Sequence, residues 1–113
     1  MITKVLPKEL LKSAHSLSSV GVIGFAWKHE DFARVVKFLI KHDYFILGGD
    51  VYSLSDGEIS STYDSWYIQK DVATTKKELL EQSRLKTLSY VDMYHRRNGS
   101  KYCYSIVFAQ VIG

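Results

Sequence analysis

The apolar positions change their period along the chain in a readable order. From Glu30 to about Asp43, Phe32, Val35, Val36, Leu39 and Ile40 fall at i, i+3, i+4, i+7 and i+8, while Arg34, Lys37 and Lys41 face away. That spacing predicts an amphipathic helix burying Phe32, Val36, Leu39 and Ile40. Glu30 and Asp31 suit the positive end of its dipole, and Lys41 and His42 the negative end. Upstream, Pro7 to about His15 opens with proline at a first helical position and puts Leu10, Leu11 and Ala14 on one face, which predicts a short helix. The apolar run from Val20 to Trp27, interrupted by Gly21 and Gly24, fits either a buried strand or a close-packed turn.

The period then shortens. Tyr44 to Leu54 is rich in aromatic and β-branched residues, Ser55-Asp56-Gly57 reads as a turn, and Ile59 to Ile68 follows, so a β-hairpin is expected, with Gly48 and Gly49 marking a bulge or a close backbone approach. Thr75-Lys76-Lys77-Glu78 matches a capping box and predicts a helix to about Tyr94, with Leu80, Leu88, Val91 and Tyr94 on one stripe that also takes in Arg84. Arg97-Asn98-Gly99-Ser100 supplies its stop, and Lys101 to Ile112 alternates as a final strand. The fold class expected is α+β: a mostly antiparallel sheet of three or four strands, two main helices packed on one face, and a short N-terminal helix.

Composition adds limits to that pattern. The 113 residues are 46% hydrophobic and 24% charged, which fits one soluble domain, residues 1–113, and excludes a disordered tail. The longest apolar runs fall far short of the roughly 20 residues needed to span a bilayer, and the N-terminus lacks the apolar core of a secretory signal, so no membrane partner and a cytoplasmic location are expected. The single cysteine, Cys103, forms no internal bridge. Fifteen basic against twelve acidic side chains give +3, spread over both halves. The one local concentration, His95, Arg96, Arg97 and Lys101, suits a helix C-terminus, and a small basic nucleic-acid-binding regulator is the alternative it keeps open.

No phosphate-binding glycine loop, Gly-x-Ser-x-Gly or His-Glu-x-x-His occurs, and the four histidines lie far apart in sequence. No cofactor, no metal and no enzymatic activity are therefore expected. Cys103, between Tyr102 and Tyr104, reads as a small buried hydrophobe. Asp50 and Asp64 stand out because strands disfavour aspartate; they read either as paired carboxylates of a small hydrolase or as acceptors fixing the hairpin. Tyr52, Tyr63, Trp66 and Tyr67 gather on the same two strands, and alternation separates Tyr63 and Tyr67 from Asp64, Trp66 and Ile68. Between Asp43 and Gln69 there is no basic residue, which disfavours stacking on nucleic acid and suits a protein interface rich in aromatics and carboxylates.

Ile46-Leu47-Gly48-Gly49-Asp50-Val51-Tyr52 after an amphipathic helix, followed by Tyr63-Asp64-Ser65-Trp66-Tyr67 and preceded by Ala26-Trp27, resembles the immunity protein 40 family of bacterial polymorphic-toxin and contact-dependent growth inhibition systems. The resemblance covers roughly residues 20 to 70, with Ser65 where it leads one to expect asparagine. It implies a small cytoplasmic protein that binds and blocks a cognate toxin domain, a binder and not an enzyme. On that expectation Asp50, Tyr52, Asp64, Trp66 and Tyr67 are the candidate toxin-binding residues.

Overall fold

The computed structural model describes residues 2–69 and 75–110. In chain order these form α1 (Ile2–Val5), α2 (Lys8–Lys12), β1 (His15–Ser16), a 3-10 turn (Ser18–Val20), β2 (Phe25–Lys28), α3 (His29–Lys41), β3 (Tyr44–Ser55), β4 (Glu58–Tyr67), α4 (Lys76–Asn98), β5 (Tyr102–Tyr104) and β6 (Val107–Gln110). The fold is α+β, with every strand pairing antiparallel in the order β1-β2-β5-β3-β4 and β6 also on β3.

The hairpin forms as its turn chemistry dictates. Asp56 and Gly57 both take positive φ, 52° and 80°, the geometry of a two-residue type I′ turn. Both expectations for the glycine pair are met. The ladder shifts register between Ile46 and Gly48 and again between Asp50 and Tyr52. A Cβ on Gly49 would meet the Ser105 carbonyl oxygen well inside contact distance and the Trp66 ring at 2.5 Å.

Six strands appear among the described residues where three or four were expected. The Val20 to Trp27 run is part turn, part strand: its end becomes β2, which bridges β1 to β5 through Trp27 opposite Tyr104. The expected single strand from Lys101 is two, β5 and β6, lying end to end along one edge of β3. The break has a local cause. The Ser105 hydroxyl accepts the Asp50 N–H at 2.9 Å, and the Ser105 N–H donates to the Asp50 carbonyl at 3.0 Å, so a side chain takes the place of a ladder carbonyl. Residues 111 and 112, the expected end of that strand, lie outside the described residues.

Helix α3 buries Phe32, Val35, Val36 and Leu39, as its spacing requires, and leaves Ile40 half-buried. At the start of α4 the Thr75 hydroxyl accepts the Glu78 N–H at 3.2 Å and donates to the Glu78 carboxylate at 3.0 Å, so the threonine caps the helix while the glutamate holds the threonine. The α4 stripe differs from expectation. Leu79, Ser83, Thr87, Val91 and Tyr94 are the buried set, and Leu80 and Leu88 are only half-buried. The innermost positions are small and hydroxylated because the helix lies close over the sheet. There the Ser83 hydroxyl accepts the Ile46 N–H at 3.2 Å and Thr87 accepts the Trp66 indole N–H at 3.3 Å.

Candidate functional site

Strand alternation divides the residues of the sheet between two faces. Across the ladder Trp27 lies opposite Tyr104, and Tyr104 opposite Val51; all three are fully buried under the helices with Phe32 and Leu39. Their neighbours one step along, Ala26, Tyr52 and Cys103, therefore face the other way. On that outer face they form a second small core with Leu17, closed over by Val20 from the 3-10 turn. The N-terminal segment covers only one end of the outer face. Beyond it Asp50, Ser65, Tyr67 and Val107 are exposed.

Where the cover stops, a groove of about 450 Å³ opens between the loop carrying Val22 and Ile23 and the strands carrying Asp50, Tyr52, Val107 and Phe108. It runs on into a shallower hollow of about 270 Å³ over Gly48, Gly49, Ser65 and Tyr67, and the two share Asp50 and Val107. The rim is apolar and uncovered: Ile23 is 100% exposed, Tyr67 83%, Val107 51% and Val22 40%. Asp50 is the one charged residue lining either hollow among the described residues. Its backbone is engaged by Ser105, and its carboxylate carries no hydrogen bond or ion pair to another described residue.

Comparison with known proteins gives one decisive match: the family model for immunity protein 40 fits residues 16–108. The chain belongs to the immunity protein 40 family. The match extends beyond the stretch whose motifs suggested it and takes in α4, β5 and the start of β6. No curated protein and no solved structure matches the chain.

In this immunity protein 40 family member the five residues singled out from sequence fall on two sides of the sheet. Asp50 and Tyr67 stand on the open outer face, and Tyr52, only 5% exposed, forms the groove floor; burial first, then the Asp50 charge, pushes its phenol pKa up. Trp66 lies on the helix side, edge-on to Phe32 at 6.0 Å and stacked on Tyr90 at 5.1 Å. Asp64 also turns that way, accepting the Tyr94 hydroxyl at 2.8 Å from α4. The separation of Tyr63 and Tyr67 from Trp66 and Ile68 follows the alternation: the two tyrosines are exposed and the other pair is buried. Because Asp50 and Asp64 face opposite sides, they form no carboxylate pair.

Two further features shape the site's chemistry. Cys103 is fully buried in the outer core, and burial raises its thiol pKa to about 11, so it is held as an inert thiol away from His95. His95 instead stacks on His29 at 4.0 Å, and the His29 Nε2–H donates to Asp92 at 2.7 Å, a contact between α3 and α4 that joins histidines 66 positions apart. No group of three or more metal-ligating side chains gathers among the described residues. No helix among them is long and apolar enough to cross a membrane. Sequence reasoning missed Val22, Ile23 and Val107. The one available signal was an apolar pair bracketed by Gly21 and Gly24, a spacing suited to a loop tip as much as to a strand.

Proposed function

We propose that this protein neutralises a cognate bacterial toxin in the cytoplasm by binding the toxin domain directly, without catalysing a reaction, and that the open outer face of the sheet is where the toxin docks. Family membership supports a protein toxin as the partner in general. The observation that carries the docking face is the open groove, with Val22, Ile23, Val107 and Tyr67 exposed around an Asp50 carboxylate that pairs with no other described residue. Exposed apolar side chains gathered in one place, with a polar group among them, mark interaction surfaces. On this reading Asp50 and Tyr67 contact the toxin and Tyr52 shapes the floor. Asp64 and Trp66 support the site from the helix side.

The net charge of +3 is compatible with a carboxylate at the docking face, because the hairpin that carries Asp50 has no basic residue. The stretch from Tyr44 to Gln69 carries Asp50, Asp56, Glu58 and Asp64 and no basic residue, while Arg96, Arg97 and Lys101 lie exposed around the far end of α4. Co-expression with the product of the adjacent upstream gene tests the function. The two proteins should co-purify, and the chain should restore growth to cells expressing that product. A neighbour that is not toxic, or that does not bind, would refute the proposal. Binding to DNA or RNA that weakens steeply with salt would favour the cluster at His95 to Lys101 instead.

A further inference from the structure

The groove is built for a particular kind of side chain. Its walls are apolar, from Ile23 and Val22 on the loop to Val107 and Phe108 on β6, and the single charge within it is the Asp50 carboxylate. That carboxylate has no cationic partner among the described residues, whose four ion pairs are His29 with Asp92, Arg34 with Asp31, Lys76 with Asp43 and Arg84 with Glu81. Nor does the sequence place a lysine or arginine anywhere from residue 44 to 69. A neutral apolar ligand closing this groove would strip water from the carboxylate and leave it unpaired, which is strongly unfavourable. A side chain with an aliphatic stem and a cationic head meets both demands, its stem along the walls and its head on the carboxylate.

We infer that the groove receives one lysine or arginine side chain projecting from the toxin, with Asp50 as its counter-ion and Ile23 and Val107 packing its stem. The inference rests on the outer face being the docking surface and goes further by naming what enters it. Specificity follows from the geometry. A toxin variant lacking that cation leaves Asp50 buried and unpaired at the interface, so the carboxylate rejects it as strongly as it holds the correct partner.

Affinity is measured by titration calorimetry between the full-length chain and the toxin domain encoded by the adjacent gene, for the parent chain, Asp50→Asn and Ile23→Ser. Neither substitution touches the cores, since Ile23 is 100% exposed and the Asp50 carboxylate makes no bond to another described residue, so both variants should melt like the parent. Expected is a loss of about 30-fold or more for Asp50→Asn, with a flatter salt dependence than the parent. An alanine scan of the toxin's lysines and arginines should then find one position whose loss is far from additive with Asp50→Asn. If Ile23→Ser weakens binding by about tenfold or more while Asp50→Asn stays within about threefold, the face docks the toxin but the groove takes no cation, and this inference is overturned alone. If neither variant changes an otherwise tight complex, the docking face itself is wrong and both readings fall.

Discussion

Trp66→Ala separates support from contact, because Trp66 belongs to a toxin-binding candidate set and yet packs beneath the helices. The indole is 8% exposed, stacks on Tyr90 at 5.1 Å, meets Phe32 edge-on at 6.0 Å, lies over Gly49, and donates to Thr87 at 3.3 Å. Truncating a buried tryptophan to alanine costs about 3 to 5 kcal/mol through lost transfer energy and the cavity left behind. The lost indole hydrogen bond contributes about 1 kcal/mol of that order again. A chain of 113 residues is stable by roughly 6 to 17 kcal/mol, so the variant should fold but with much of its margin gone. At about 4 °C per kcal/mol for a chain of this size, the midpoint should fall by about 16 to 24 °C in calorimetry of the free protein. Toxin affinity, measured at a temperature where the variant remains folded, should change little. A midpoint within about 4 °C of the parent, with binding lost, would place the ring at the interface and refute the packing argument.

Gly49→Ala should cost about 1 to 3 kcal/mol in urea unfolding, because the new methyl meets the Ser105 carbonyl, a backbone atom, as well as the Trp66 ring; a neutral result would mean that β3 and the Ser105 turn are not held together. Tyr104→Phe should leave stability unchanged or raise it by up to about 1 kcal/mol, since the Tyr104 hydroxyl is buried with no hydrogen-bond partner among the described residues; a loss larger than that would show the hydroxyl to be satisfied. Burial, then donation to Asp64, raises the Tyr94 phenol pKa from 10 to about 12. The folded chain therefore keeps a proton that the unfolded chain releases, so this contribution to stability is complete below pH 10 and falls away as pH rises towards 12. Denaturant midpoints of the parent should drop across that window, and Tyr94→Phe should flatten the drop.

Much of the frame was legible from the order of the residues. The helical stripe of Phe32 to Leu39, the Thr75 cap, the Asp56-Gly57 turn and the division of Tyr63 and Tyr67 from Trp66 and Ile68 all depend on neighbours within a few positions. Helical and strand periods, caps and tight turns are local physics, and a linear sequence carries them directly. The resemblance in two short motifs likewise led to the family that the match over residues 16–108 shows.

What only the folded chain decided were matters of distance between remote segments. Alternation could split Trp66 from Tyr67 but could not say which was inside; that followed from α4 lying over one face of the sheet and Leu17 over part of the other. Ser83 and Thr87 are buried because the sheet comes close enough to offer the Ile46 N–H and the Trp66 indole, and a buried hydroxyl with a partner leaves no apolar signature in a sequence. Asp50 and Asp64 looked like a pair because both sit on the hairpin. Asp50 pairs with Ser65 across the ladder, so Asp64, one step along β4, turns to the other face, where the hydroxyl of Tyr94, thirty positions beyond it, donates to its carboxylate. The groove has the same origin: its walls come from residues 22 to 25 and 105 to 108, which meet only because β2, β5, β3 and β6 share one sheet. Local free energies select elements residue by residue, whereas a surface shared by distant segments exists only once the chain has closed on itself.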